Sequence, residues 1–215
     1  NLVTNAGVVG TDVTGVGTAR AYQAACSYSA NKDKGIYGFG YVSGNVSMTN
    51  LVSNAGVVAT DVTGVGTARR GLAATEYGGD KGIFGFGKTT TEVSMTNLVS
   101  NAGVVATDTT GVGTARSYPA ACGYGGDKGI FSFGGTSVTN LVSNVGVVAS
   151  DVTQVGTART DLAATQYGGD KGIFGFGHDG SHSGVTNLVS NAGVVATDVS
   201  AVGTARSSLA ACSFN

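Results

Sequence analysis

The chain holds only two histidines, His178 and His182, four residues apart in "GHDGSHSG" with Asp179 beside the first. Imidazoles and a carboxylate are metal-ligating types, but a tetrahedral site needs three or four donors that converge. Here the candidates share one Gly- and Ser-rich stretch that reads as a solvated loop, so neither a metal nor another cofactor is expected. The same clustering excludes a Ser-His-Asp or Cys-His nucleophile set, because both histidines sit in that one loop. No carboxylate pair stands out as unique. "GVGTAR" offers G-x-G, yet a dinucleotide fingerprint needs G-x-G-x-x-G between a strand and a helix. Arg stands at the sixth place here, and the stretch recurs in variants five times. "GGDKG" lacks the G-x-x-x-x-G-K-[ST] of a phosphate loop. These residues predict a protein that is not an enzyme.

The remaining charges belong to a pattern. Arg20, Arg69, Arg116, Arg159 and Arg206 are one position written five times, and so are Asp12, Asp61, Asp108, Asp151 and Asp198. Asp33, Asp80, Asp127 and Asp170 each precede a lysine. A catalytic group appears once in a site, whereas a structural tie appears once per repeat. The repeated Arg is therefore expected to tie strands together, its planar fork holding several oxygens at once. Net charge is −1 and only 12% of residues are charged, half the usual ~25%. No basic stripe for nucleic acid is present, and no apolar run approaches the ~20 residues of a membrane span. The start at Asn1 without Met reads as processing or as a segment of something longer.

Counted from each "NLV", repeat units cover 1–49, 50–96, 97–139, 140–186 and 187–215, within a single repeat domain spanning 1–215. Each full unit supplies four short strands, seen in "GLAATEY" (71–77), "KGIFGFG" (81–87), "VSMTNLVSN" ending at Asn101, and "GVVATDV" (56–62). Gly-rich turns and β-branched residues favour strand throughout. Ile83 and Gly85 should alternate in facing with Phe84 and Phe86. The three cysteines, Cys26, Cys122 and Cys212, each stand six residues after a repeat Arg, where Thr75 and Thr165 replace them in the other copies. Equivalent positions of different repeats rarely meet in disulfide geometry, so small buried strand residues are expected.

The fold expected is all-β, a β-propeller of about five four-stranded antiparallel blades. A β-solenoid, or a segment of a longer repeat array, is the alternative. The order of elements resembles the kelch repeat: an Arg and a small-residue inner strand ("TARSSLAAC", 204–212), then an aromatic strand ending in glycine ("GGDKGIFGFG", 168–177). The pattern departs from that family in reading "GFG" for the Gly pair, except at Gly134-Gly135, and in lacking the outer-strand Trp. "SMTNLVSNAGVVATDTTGVGTAR" is also similar to repeat arrays in predicted proteins of marine phages and uncultured microbes. That likeness implies an extracellular or virion-associated protein.

Ring closure would join the last unit's first strand, with Phe214 in the place of Tyr28, Tyr77, Tyr124 and Tyr167, to the third and fourth strands at the N-terminus. Such a blade lacks its second strand.

Two segments differ between copies. One joins the second strand to the third ("YVSGNVSMT", "KTTTEVSMT", "GTSVT", "HDGSHSGVT"), and the other follows the Arg ("AYQ", "RGL", "SYP", "TDL", "SSL"). Antiparallel order puts both on one end of the blades, while the constant "YGGDK" and "SNAG" turns take the other. Loops at one end of a rigid scaffold are where binding is usually placed. The expected ligand contacts are Tyr22, Tyr41, Arg70, Lys88, Tyr118, His178 and Asp179. The expected function is non-enzymatic recognition or adhesion toward a glycan or protein, as in a phage tail or surface appendage. The alternative is a building block of a filament or larger assembly that shares strands between subunits.

Overall fold

The computed structural model describes residues 1–4, 6–153, 156–201 and 203–213, so Phe214 lies outside the described residues. The chain is all-β: the described residues form no helix, and none is long and apolar enough to cross a membrane. Four antiparallel sheets follow one another. Sheet I is β1 (Ala24–Tyr28), β2 (Lys34–Tyr41) and β3 (Asn45–Val52); sheet II is β4 (Ala73–Tyr77), β5 (Lys81–Gly85) and β6 (Thr96–Val99). Sheet III is β7 (Ala120–Tyr124), β8 (Lys128–Ser132), β9 (Val138–Val142) and β10 (Val152–Thr153). Sheet IV is β11 (Ala163–Tyr167), β12 (Lys171–Gly175) and β13 (Thr186–Val189).

Among the described residues only sheet III has a fourth strand, of two residues, which corrects the expectation of four in every unit. Elsewhere the "GVVATDV" segment meets the third strand at two isolated bridges, such as Thr49↔Val62 and Val52↔Val58. Three steps on one side oppose four on the other, which is a β-bulge. Its cause is a side chain. Asn50 donates from Nδ2 to the Ala59 carbonyl and to Asp61 Oδ1, at 3.0 and 2.9 Å, taking the place of ladder partners. Asn97, Asn140 and Asn187 do the same.

The second strand does not alternate between a wet and a dry face. Ile83, Phe84 and Phe86 are all fully buried, because each inner sheet is covered on both sides by its neighbours. Aromatic rings interlock from sheet to sheet in edge contacts: Phe39 with Phe84, Phe86 with Phe131, Phe133 with Phe174, centroids 5.2–5.4 Å apart. A side chain at Gly85 would place Cβ 2.8 Å from the Phe131 ring, so glycine there is what admits the next sheet. Cys26 and Cys122 pack in the same way, whereas Cys212 is exposed, which corrects the expectation of burial for it. An added Cβ at Gly82 would stand 2.6 Å from Cys26 Sγ, and one at Gly172 as close to Cys122 Sγ. All three cysteines are free, and burial pushes the Cys26 and Cys122 thiols up to about 12.

The repeated Arg ties each sheet to itself and to the one before. Arg69 donates from Nε to the Phe86 carbonyl at 2.9 Å, from Nη1 to the Thr67 carbonyl and from Nη2 to Asn97 Oδ1 at 2.7 Å. Its guanidinium also lies 4.2 Å from the centre of the Phe39 ring of sheet I. Arg116 stacks on Phe86, Arg159 on Phe133 and Arg206 on Phe176. Asp108 completes the hub by accepting from the Thr67 amide and hydroxyl. The Asp-Lys pairs of the turns, by contrast, are half-exposed at the surface, where such pairs contribute little.

These hubs make stability pH-dependent. The Thr18 hydroxyl, then Asn50, holds the Asp61 carboxyl below its usual range. At Asp108, Asp151 and Asp198 burial opposes ionisation, yet the hydrogen bonds from Thr and Asn, with the nearby Arg, outweigh it and leave each lowered. A carboxylate with a depressed folded pKa stabilises above its unfolded value and loses that contribution as pH falls through the folded one. The melting midpoint should therefore fall steeply below about pH 4. Asp108→Asn should be less stable at pH 7 and less sensitive to acid. Circular dichroism melts between neutral and strongly acidic pH check this, and a midpoint that rises on acidification contradicts it.

Candidate functional site

Both variable segments meet at one end of sheets I, II and IV. The residue after the Arg pairs through its backbone with the residue after "GFG": Ala21 with Tyr41, Arg70 with Lys88, Thr160 with His178. Each pair exchanges two hydrogen bonds of 2.8–3.1 Å. At the opposite end the constant turns bind each other, Asn101 Nδ2 donating to Asp80 Oδ2 at 3.0 Å, with the same bond from Asn144 to Asp127 and from Asn191 to Asp170. They also join sheets, since the Ser29, Gly78 and Gly125 amides donate to the carbonyls of Asp80, Asp127 and Asp170. Framework bonds thus account for why those turns do not vary.

The first strands of the sheets and residues 211–213 line one cavity of about 290 Å³ with equivalent triplets from all five copies: Ala25 to Ser27, Ala74 to Glu76, Ala121 to Gly123, Ala164 to Gln166 and Ala211 to Ser213. At its variable end a depression of about 310 Å³ is ringed by Tyr22, Gly71, Tyr118, Asp161 and Ser208, again one position in five copies. All five have left-handed backbone, φ 53–61°. Glycine suits that conformation, and a side-chain-bearing residue pays on the order of 1 kcal/mol for it. The conformation persists because amides and carbonyls link the copies: Gly71 N–H to Tyr22 O, Tyr118 N–H to Gly71 O, Ser208 N–H to Asp161 O. Strain held by the surrounding fold is what a constructed site displays.

The predicted contacts separate into two groups. Tyr22 and Tyr118 come together at this mouth, rings edge to face 5.9 Å apart across Gly71. Tyr41, Arg70 and Lys88 stand farther out on the rim. The Arg70 guanidinium lies 4.8 Å from the Tyr41 ring centre and donates to Asn45 Oδ1, while Asn45 donates to the Lys88 and Thr89 carbonyls. His178 and Asp179 are exposed on the rim of sheet IV. His178 faces His182 at 6.0 Å, and His182 Nδ1 bonds to Ser207 Oγ. No group of three or more metal-ligating residues converges among the described residues.

Sequence reasoning missed Asp161 and Ser208. A signal was present, because Gly71 fills their position in another copy. It also missed a polar cluster inside the cavity. Glu76 accepts from Ser27 Oγ at 2.9 Å, Lys32 Nζ at 2.7 Å and Gln166 Nε2 at 2.7 Å, which crosses from sheet II to sheet IV. Gln166 passes where a side chain at position 123 would stand, so Gly123 makes room for it. With three donors, the carboxylate is a satisfied tie across the cavity rather than an open site. The position varies as Ser27, Glu76, Gly123, Gln166 and Ser213, next to one that is only Cys or Thr, and that variation was legible.

No family model matches the chain, and no curated protein matches it.

Proposed function

We propose that the chain is a non-enzymatic recognition module, a kelch-type five-bladed propeller that binds a glycan at the mouth on its variable end. One observation carries the reading. Two tyrosines far apart in sequence meet edge to face at a depression made only from segments that differ between copies. Tyrosine offers a flat apolar face with a polar tip, which suits the C–H faces and hydroxyls of a sugar. Asp161 and Ser208 add hydrogen-bonding groups at the same ring. The five inner segments around one cavity support the propeller reading, with sheets I–IV as four blades. The resemblance to phage-type arrays supports an extracellular or virion-surface setting.

The test is a glycan array followed by titration of the ligands found. Tyr22→Ser with Tyr118→Ser should weaken binding about 100-fold, since each stacked ring contributes on the order of 1–3 kcal/mol. Lys81→Ala, on the constant end, should leave affinity unchanged. Binding that survives the tyrosine pair and falls with Asp80→Ala and Asp127→Ala would move the site to the constant end. Binding of proteins but of no glycan would keep the surface and change the ligand class.

A further inference from the structure

Asp161 is a carboxylate that occurs once. At its position the copies read Tyr22, Gly71, Tyr118, Asp161 and Ser208, whereas the framework carboxylates recur from copy to copy. The framework carboxylates are also spent. Asp61, Asp108, Asp151 and Asp198 each accept from a threonine hydroxyl and from an asparagine amide. Asp161 accepts at Oδ2 from the Thr160 hydroxyl, at 3.0 Å. Among the described residues its Oδ1 has no hydrogen-bond partner, and no cationic side chain stands within ion-pair distance of it. The residue is half-buried at the mouth. Its backbone is fixed at φ 53° by the Ser208 amide, which donates to its carbonyl at 2.9 Å. Backbone and hydroxyl together hold an unspent negative charge at a set place.

The rest of the depression suits a positive charge. The planes of Tyr22 and Tyr118 stand at 80°, so the two rings form the sides of a corner. A ring face is the negative part of the aromatic quadrupole, and a cation within about 6 Å of the ring centre is attracted to it. Leu72 and Leu162, both buried, line the same depression. Apolar surface excludes water, and charges beside it attract more strongly than in bulk solvent. Among the described residues Asp161 is the one charged residue in the lining, and the rim cations Arg70 and Lys88 are not part of it. Arg70 is turned instead to the Tyr41 ring and to Asn45.

We infer that the ligand of this mouth is a cationic sugar, a hexose with a free, protonated amino group, its ammonium at Asp161 and a C–H face of its ring on the tyrosine corner. The inference rests on the glycan reading proposed above and adds the charge of the ligand to it. An ammonium has three N–H donors and no acceptor, which matches a carboxylate oxygen still without a partner. Acetylation of the same nitrogen removes the charge and leaves the sugar ring as it was. The carboxylate then meets a neutral amide, and the tyrosine faces lose their cation. A sugar carrying a carboxylate of its own is repelled by Asp161.

The probes are the tetramer of β-1,4-linked glucosamine and its fully N-acetylated counterpart, titrated into the full chain at about pH 6, where a primary amine is protonated. The amine tetramer should bind at least about tenfold more tightly, and the preference should shrink as salt is raised. Asp161→Asn keeps the shape, an acceptor for Thr160 and a residue that tolerates left-handed backbone. It should weaken the amine tetramer about tenfold and leave the acetylated one unchanged. Asp161→Ser, which installs the residue of the fifth copy, should do the same, and melting midpoints check that both variants fold. Equal or tighter binding of the acetylated tetramer, or a preference that survives both variants, overturns the cationic ligand and leaves the glycan reading standing. So does failure of both tetramers when another glycan binds at the tyrosines. A chain that binds no glycan at all overturns both readings, and binding of a trimethyl-lysine peptide with neither tetramer overturns both in favour of a protein ligand.

Discussion

Arg69→Ala should lower unfolding free energy by about 3–5 kcal/mol while leaving the affinity of any ligand of the folded protein unchanged. The residue is fully buried, and its three nitrogen groups are all spent on the Phe86 carbonyl, the Thr67 carbonyl and Asn97 Oδ1. Truncation leaves those acceptors without a donor, uncovers one face of the Phe39 ring and strips Asp108 of its nearby cation at 3.9 Å. Burial pulls the guanidinium down to about 10 against the pull of Asp108, so it remains charged at neutral pH and hydrogen bonds to it are of the stronger kind. Arg206 is the internal control. It stacks on Phe176 and donates to the Thr204 carbonyl but is exposed, so Arg206→Ala should cost less than about 1 kcal/mol. Denaturant unfolding of both variants decides the matter. Equal costs would mean that the buried hub contributes nothing beyond the stacking that both residues share.

That the Arg is framework was readable from its fivefold recurrence, but its partners were not. The carboxylates of Asp61, Asp108 and Asp198 stand 3.7–3.9 Å away, and the short bonds go to Asn50, Asn97 and Asn140. "NLV" gives no hint that its Asn turns inward to bind an Arg and an Ala carbonyl together. The same side chain bows the fourth strand, which strand propensity alone cannot foresee. Turn chemistry was legible, since Gly78 and Gly79 have positive φ and "YGGDK" has little alternative to a turn. The placing of both variable segments at one end followed from antiparallel order alone. What remained hidden was which of their residues converge. Nothing local marks Asp161 or Ser208 as left-handed, because the bonds that hold them run between copies. Lys88, His178 and Asp179 lie in the same variable segments, but the bonds that draw Tyr22, Gly71, Tyr118, Asp161 and Ser208 together run between copies, which no single copy encodes.

Phe131→Ala should cost about 3–5 kcal/mol, and Tyr37→Ala, at the equivalent place in sheet I, less than about 1. The two positions share the strand pattern K-G-I-aromatic, so propensity and local sequence cannot separate them. Context does. Phe131 is fully buried, seated on Gly85 of sheet II and edge-on to Phe86 at 5.2 Å. Removing the ring opens a cavity that glycine beneath it cannot fill, and the backbone on both sides is fixed by strand pairing, so the site cannot collapse. The seat itself has some tolerance. Ser132 replaces Gly85 in sheet III, and there the Phe133 and Phe174 rings open to 5.4 Å and 73°, from 5.2 Å and 61°. Tyr37 lies on the outer face of sheet I instead, where its ring is already in contact with water. Urea unfolding of the two variants measures the difference. If Tyr37→Ala proves as costly as Phe131→Ala, the outer face of sheet I is covered in solution. If both are cheap, the interlocked aromatic row is not what couples one sheet to the next.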